Sequence, residues 1–313
     1  MDKITRVKNA FAGQPVDRAP GSLWFHFTDS ADLADNCVKP HLDYYRECGL
    51  DFVKIMNDGY NYPMTSVKII GDWEKVRPAD KNDPYFTGQI ERAKRISDEL
   101  QGDCMTFFNV FSPFSDIRNM TDEKMVMAHF EENEALVIEA LAIIAEDKSW
   151  LAEKLITEGG CDGIYLALKG GEQSRFTSEE HGRRITPSDL ITLSAANRVS
   201  DYNICHLCSG WQLEPSNMEI WKGYPAAIFN WAVFVEGMTL PEGRMFFGAK
   251  SVMGGLDNKK IGILCLGNEA EIKAEVKRLV AENGLGFVLS ADCTIPTDID
   301  RNRIRWAMEA LAE

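Results

Sequence analysis

The sequence predicts a (β/α)8 TIM barrel, an α/β fold, on three observations. Eight short apolar, β-branched or aromatic runs punctuate the 313 residues, and longer amphipathic stretches separate them. Eight strand–helix units fit a chain of this length, since such barrels need about 250 residues. No G-x-G-x-x-G follows the first run and no G-x-x-x-x-G-K-[ST] occurs, so an open nucleotide-binding sheet lacks its phosphate loop. One domain over residues 1–313, with a helical extension over about residues 1–18, is the economical organisation.

The predicted strands are "GSLWF" (21–25), "FVKIM" (52–56), "MTFFNV" (105–110), "GIYLAL" (163–168), "YNICHL" (202–207), "AAIFNWA" (226–232), "SVMGGL" (251–256) and "GFVLSA" (286–291). Each is short and rich in residues that pack on a pleated surface. Between the third and fourth lies "EENEALVIEALAIIAEDKSWLAEKLITEGG" (131–160), with apolar residues at helical spacing and glycines as its stop. Before the last comes "NEAEIKAEVKRLVAENG" (268–284), where Asn268 caps the start and Gly284 the end.

Forty-eight acidic against 34 basic residues leave a formal charge of −14. Nucleic acid and anionic membrane surfaces are therefore poor partners, because like charges repel. No apolar run approaches the roughly 20 residues that span a bilayer. The start, "MDKITRVKNAFAGQPVDRAP", carries no secretory h-region, and eight scattered cysteines are too sparse for a disulfide framework. A cytoplasmic location with reduced thiols is expected.

Barrel active sites sit at the carboxyl ends of the strands. The residues there are Trp24, His26, Asn57, Asp58, Ser112, Lys169, His206, Cys208, Asn230, Asp257 and Cys293. Loops are polar anyway, which explains the asparagines and aspartates but not a histidine with two cysteines. "ICHLCSGW" (204–211) reads either as C-x-x-C or as H-x-C. Residues i and i+2 of a strand share a face, so His206 and Cys208 point together while Cys205 points away. Imidazole and two thiolates suit zinc and leave a fourth position for substrate. A structural zinc knuckle needs a second close pair, and a redox dithiol prefers a helix N-terminus. From spacing alone, catalytic zinc, inert buried cysteines and redox chemistry all stay open.

Nearly the whole chain resembles the uroporphyrinogen decarboxylase superfamily. The resemblance rests on "RVKNAFAGQPVDRAP" (6–20), "DFVKIMNDGY" (51–60), "CDGIYLALKGGEQ" (161–173), "HLCSG" (206–210), "NWAVFVEG" (230–237), "VMGGLD" (252–257) and "GFVLSADCTIPTDIDRNRIRWAMEAL" (286–311). Members are (β/α)8 barrels. Decarboxylases of this superfamily follow "RAP" with an arginine-bearing segment that pairs with substrate carboxylates. Here "GSLWFHFTDS" follows, without arginine, although Asp58 stands where they keep an aspartate that holds pyrrole nitrogens. The corrinoid-dependent, zinc-containing methyltransferase branch instead carries H-x-C and a distant cysteine, matched by His206, Cys208 and Cys293. The chain departs from the commonest H-x-C-G form by placing Ser209 before Gly210.

That resemblance implies zinc held by His206, Cys208 and Cys293. It implies methyl transfer between a corrinoid (methylcobalamin-type) on a separate protein and a small thiol or methylated compound. The separate corrinoid protein is implied because no D-x-H-x-x-G occurs in the chain. Asp58 is the catalytic candidate. Trp24, His26, Asn57, Tyr60, Lys169 and Asn230 are expected to bind substrate, Phe25 to add to an apolar wall, and Glu172 or Glu236 to offer a fourth ligand. His41, His129 and His181 read as surface residues, and "HFEENEALVIEA" (129–140) as a solvated helix face. Pairing of two copies through the barrel mouths is a further implication. A decarboxylase, or a non-catalytic corrinoid or metal binder, are the alternatives.

Overall fold

A computed structural model describes residues 1–208 and 214–313. Seven parallel strands form one sheet in sequential order: β1 (Phe52–Ile55), β2 (Met105–Phe111), β3 (Gly163–Leu168), β4 (Ile204–Leu207), β5 (Ile228–Trp231), β6 (Val252–Leu256) and β7 (Phe287–Ala291). Strands β1 and β3 to β7 are buried along their whole length, as the continuous apolar runs require of a sheet covered on both faces.

The first predicted strand is the exception. Residues 21–25 form no ladder strand, yet they fill the gap between β7 and β1. Leu289 N donates to Pro20 O at 2.9 Å and Ser22 N to Leu289 O at 3.0 Å. On the other side Asp51 N donates to Gly21 O at 2.9 Å, and Ser22 Oγ to Phe52 O at 2.9 Å. The barrel thus closes through an extended segment. Pro20 has no N–H to give a ladder. Trp24, Phe25 and Phe27 are all buried, like the strands on either side. Gly21 is required by close approach: a Cβ there would stand 2.8 Å from Leu311 Cδ1 and 3.0 Å from Met308 Sδ.

The helix predicted over 268–284 forms as Glu269–Asn283, with the Asn268 side chain and Glu271 completing a capping box and Gly284 at φ 60° ending it. The helix predicted over 131–160 begins earlier, at Glu123, and runs to Thr157 across a kink at Asn133. Glu131, Glu132, Asn133 and Glu139 are exposed, as a solvated face requires, but Phe130 at its start packs on Phe114 and Phe176. His129 is buried there, accepting from Trp73 Nε1 at 3.0 Å.

His41 and His181, expected at the surface, are buried as well. The His41 ring bridges Cys37 O (2.6 Å from Nδ1) and Met56 N (2.9 Å from Nε2), so Nδ1 donates and Nε2 accepts. Burial pushes its imidazole down to about 4. His181, packed against Phe176 and Trp221, is likewise lowered to about 4 by burial. Helical periodicity cannot tell a buried neutral histidine from an exposed one; the partners that make it neutral come from elsewhere in the chain.

At the amino end of the barrel Arg6 and Arg18 converge on the carboxylate of Asp51, which is fully buried. Asp51 accepts from Arg6 Nη1 (2.9 Å), Arg18 Nη1 (2.7 Å), Arg18 Nη2 (2.9 Å) and Gly21 N (2.9 Å). The opening motif therefore fastens the closing segment to β1, at the end away from the strand carboxyl termini. Among the described residues no helix is long and apolar enough to cross a membrane.

Candidate metal centre

His206 lies on β4, and Cys208 continues its register by donating its backbone N–H to Leu168 O at 2.9 Å. Two residues apart on an extended chain, both side chains face the barrel mouth. Cys293 reaches them from the end of β7. Nε2 or Nδ1 of His206 and the two sulfurs all lie within 4.8 Å of one another, and Cys293 Sγ is 3.4 Å from His206 Nε2. Cys205 is fully buried on the opposite face, where burial pushes its thiol up. The C-x-x-C spacing therefore brings no dithiol together. Ser209, Gly210 and Trp211, which complete the quoted motif, lie outside the described residues.

Asn230, on β5, determines which nitrogen of His206 faces the cysteines. Its Nδ2 donates to Met253 O (3.0 Å) and Ala291 O (3.2 Å), so its amide can turn only one way. Oδ1 then accepts from Tyr165 Oη (2.7 Å) and from His206 Nδ1 (2.6 Å). The proton of His206 accordingly sits on Nδ1, and Nε2 presents its lone pair toward Cys293. Gly254 and Gly255, at φ 144° and 106°, shape β6 around this amide; a Cβ on Gly254 would stand 3.4 Å from Asn230 Nδ2.

The donor set fits zinc. Bonds of about 2.0–2.3 Å in a tetrahedral array put ligand atoms roughly 3.5 Å apart, which is the scale of this cluster. An imidazole whose far nitrogen is already hydrogen-bonded is the usual form of a metal-binding histidine. The Cys293 thiol is lowered well below its ordinary range by its hydrogen bond with Cys208, against burial. Thiolate character of this kind is what a metal ligand needs.

A cavity of about 640 Å³ opens beside these residues, lined by His26, His206, Cys208, Val235, Lys259, Lys260, Asp292 and Cys293 among others. Asp58, in the loop after β1, holds His26 Nδ1 at 2.6 Å and accepts from Phe27 N at 2.7 Å. Asn57 is buried, its Oδ1 accepting from Asn109 Nδ2 at 2.7 Å. Trp24 is buried beneath the mouth with Nε1 unpartnered. Phe25 packs against Phe27 and Tyr44. Lys169 donates to Asn119 Oδ1 at 2.7 Å; burial lowers its ammonium, and the Cys208 charge raises it. Tyr60 faces a separate hollow, donating to Asn36 Oδ1 at 2.7 Å beneath Arg92. Glu172 is gripped by Arg118 and Arg175, and Glu236 accepts from Ser216 N and Oγ.

Lys54, Tyr165 and Asp292 escaped the sequence reading. Lys54 Nζ lies 3.7 Å from the Tyr165 ring centroid and 4.6 Å from that of Trp24, with no hydrogen-bond acceptor among the described residues. Burial lowers its ammonium to about 7, opposed by the charges of Cys293, Asp58 and Cys208. Tyr165 in turn stacks on His206, at 5.3 Å and 28°. Asp292 is buried with Oδ1 unpartnered, and burial raises its carboxyl to about 7. One signal was available: a lysine inside the apolar run "FVKIM" has to be explained by something it faces.

Fold and site together define a TIM barrel with an imidazole–dithiol cluster at the mouth. The chain belongs to the uroporphyrinogen decarboxylase (URO-D) family, whose model matches residues 46–313. Among solved structures it is similar to a methyltransferase from Methanosarcina mazei, with a TM-score of 0.77 and 16% identity over 100% of this chain and 98% of that one. A more distant likeness is endo-glycoceramidase II from Rhodococcus sp., at TM-score 0.51 and 10% identity over 92% and 78% of the two chains. At these identities the likeness is one of fold. No curated protein matches the sequence significantly.

Proposed function

We propose that the protein is a zinc-dependent methyltransferase of corrinoid one-carbon metabolism. It moves a methyl group between a corrinoid carried on a partner protein and a small thiol or methylated compound. The observation that carries this reading is the convergence of His206 Nε2 with the Cys208 and Cys293 sulfurs on one cavity at the strand carboxyl ends. Membership of the URO-D family and the fold shared with a methyltransferase are consistent with it.

Zinc in this set would supply a Lewis acid that converts a bound thiol to thiolate, with three protein ligands and one open position. The chain's own residues do the rest. Asn230 keeps the His206 proton on Nδ1, and Tyr165 supports the ring face. Lys54, when protonated, sets a positive charge near the sulfurs, which favours an anionic substrate atom there. Lys259 at the cavity rim suits a substrate with an anionic tail, whereas Lys260 beside it is paired with Asp298 at 2.6 Å. A decarboxylase acting on a polycarboxylate would need a clamp of guanidinium groups, and the described lining of this cavity contains no arginine.

The test is metal analysis of wild type beside Cys208→Ala and Cys293→Ala, followed by methyl transfer from methylcobalamin to a panel of thiols and its reverse. About one zinc per chain in wild type, lost in both variants, is expected. Undiminished zinc in both variants overturns the site. Zinc without methyl transfer in either direction would favour a metal-binding family member that does not turn over.

A further inference from the structure

We infer that His26 and Asp58 form a proton-accepting dyad, in which His26 Nε2 takes the proton that a thiol substrate loses. The inference rests on the methyltransferase reading above for the identity of the substrate, but not for the geometry of the dyad.

The two residues come from different walls, His26 from the closing segment and Asp58 from the loop after β1. Asp58 Oδ1 lies 2.6 Å from His26 Nδ1, and Oδ2 accepts from the backbone N–H of Phe27 at 2.7 Å. Both oxygens are thus committed as acceptors in one plane, and the carboxylate cannot swing away. Asp58 already accepts through Oδ2, and the 2.6 Å contact of its Oδ1 with Nδ1 is that of a carboxylate accepting the ring N–H. Nε2 then carries a lone pair, and it has no partner among the described residues. The His26 side chain keeps 38% of its surface and lines the same cavity as His206, Cys208 and Cys293. A charged partner on one nitrogen and an open cavity on the other is the arrangement by which a carboxylate orients a histidine base.

Other charged groups around this space are already occupied or badly placed for the task. Lys54 is caged between Trp24 and Tyr165, and His206 is held by Asn230. Asp292 has Oδ2 turned to Phe234 N at 3.2 Å, while its Oδ1, unpartnered among the described residues, is buried away from the open space, and Lys259 and Lys260 are cations at the rim. The proton has to go somewhere. When a thiol is methylated its S–H bond breaks, the electron pair stays on sulfur and becomes the new S–CH3 bond. The carbon–cobalt pair of a methyl-corrinoid stays on the metal, which falls from Co(III) to Co(I). One proton is left over, and His26 Nε2 receives it. His26 is the catalytic residue, and Asp58 is a positioning residue that keeps Nδ1 protonated.

Two measurements decide this. The first needs no turnover. Zinc-loaded protein is titrated with 2-mercaptoethanol at pH 7 by calorimetry, in two buffers of different ionisation enthalpy. Wild type is expected to release well under one proton per thiol bound and His26→Gln about one, because the proton has lost its acceptor. Equal release from both overturns the proposal. The second uses the zinc-free protein: nitrogen-15 NMR of histidine, with His26 assigned by its absence in His26→Gln. It is expected to show the Nδ1–H tautomer in wild type and loss of that state in Asp58→Asn. An Nε2–H tautomer in wild type overturns the dyad. Failure of wild type to load zinc counts against the methyltransferase reading instead, and the tautomer still decides the dyad.

Discussion

The two ends of this barrel treat buried charge in opposite ways. At the amino end, Asp51 is fully buried and accepts four hydrogen bonds, three of them from Arg6 and Arg18. At the carboxyl end, among the described residues, Lys54 has only aromatic faces, Asp292 Oδ1 has no partner, and Trp24 Nε1 and Ser290 Oγ are unpaired as well. A satisfied network stabilises a fold, whereas an unsatisfied polar group costs about 1–3 kcal/mol. The amino end therefore holds the barrel shut, and the carboxyl end keeps reactive groups waiting for something to bind.

The largest effect is expected at Asp51. Asp51→Ala leaves two guanidinium groups facing a buried void, and a loss of about 3–5 kcal/mol is expected in urea unfolding. Zinc content of the folded protein should not change. A loss below 1 kcal/mol would deny the amino end its clamping role.

Next comes His41, which lies away from the metal-ligand cluster and packs on Phe27. Its folded-state value is about 4 against an ordinary 6.5. As pH falls, the unfolded chain takes the proton first. The stability His41 contributes is complete above pH 6.5 and is lost as pH falls toward 4, by about 3 kcal/mol. His41→Gln should flatten the stability profile across that window, and an unchanged slope would contradict the buried neutral ring.

Asn230→Ala frees His206 to move its proton to Nε2. Zinc affinity should drop about 10- to 100-fold in chelator competition. An unaltered affinity would mean that the ring is oriented by Tyr165 alone.

Lys54→Met is the smallest effect and has the opposite sign. The folded protein yields the lysine proton near pH 7, whereas the unfolded chain keeps it to about 10.5. The cost of burying the charge is full below pH 7 and fades as pH rises to 10.5. That cost, roughly 5 kcal/mol, is offset by the loss of two cation–ring contacts of about 2 kcal/mol each. The variant should therefore be more stable by about 1–2 kcal/mol at pH 6, with the gain gone near pH 10. Destabilisation at pH 6 would show that the aromatic cage more than compensates the lysine.

Much of the fold is legible in the sequence. Seven of the eight apolar runs became strands because each is a short hydrophobic stretch bounded by turn residues, a local property. The capping box at Asn268 and the stop at Gly284 were likewise local. The pairing of His206 with Cys208 followed from the two-residue period of a strand. What failed was non-local. The "GSLWF" run satisfies strand composition, but it is pinned between Leu289, Asp51 and the C-terminal helix and never forms a regular ladder. Three histidines placed at the surface lie inside because Met56, Trp73 and Trp221 come to meet them.

By itself the sequence determined the order and parallel sense of the elements, the face on which His206 and Cys208 stand, and the candidacy of Cys293. Periodicity and chain order are enough for that. Only the tertiary structure decided that Asn230 orients His206, that Lys54 sits caged near the sulfurs, and that Asp58 is spent on His26 and Phe27. Each depends on atoms brought together from separate strands, and on burial that turns an ordinary side chain into a perturbed one. Neither is encoded within any single stretch of chain.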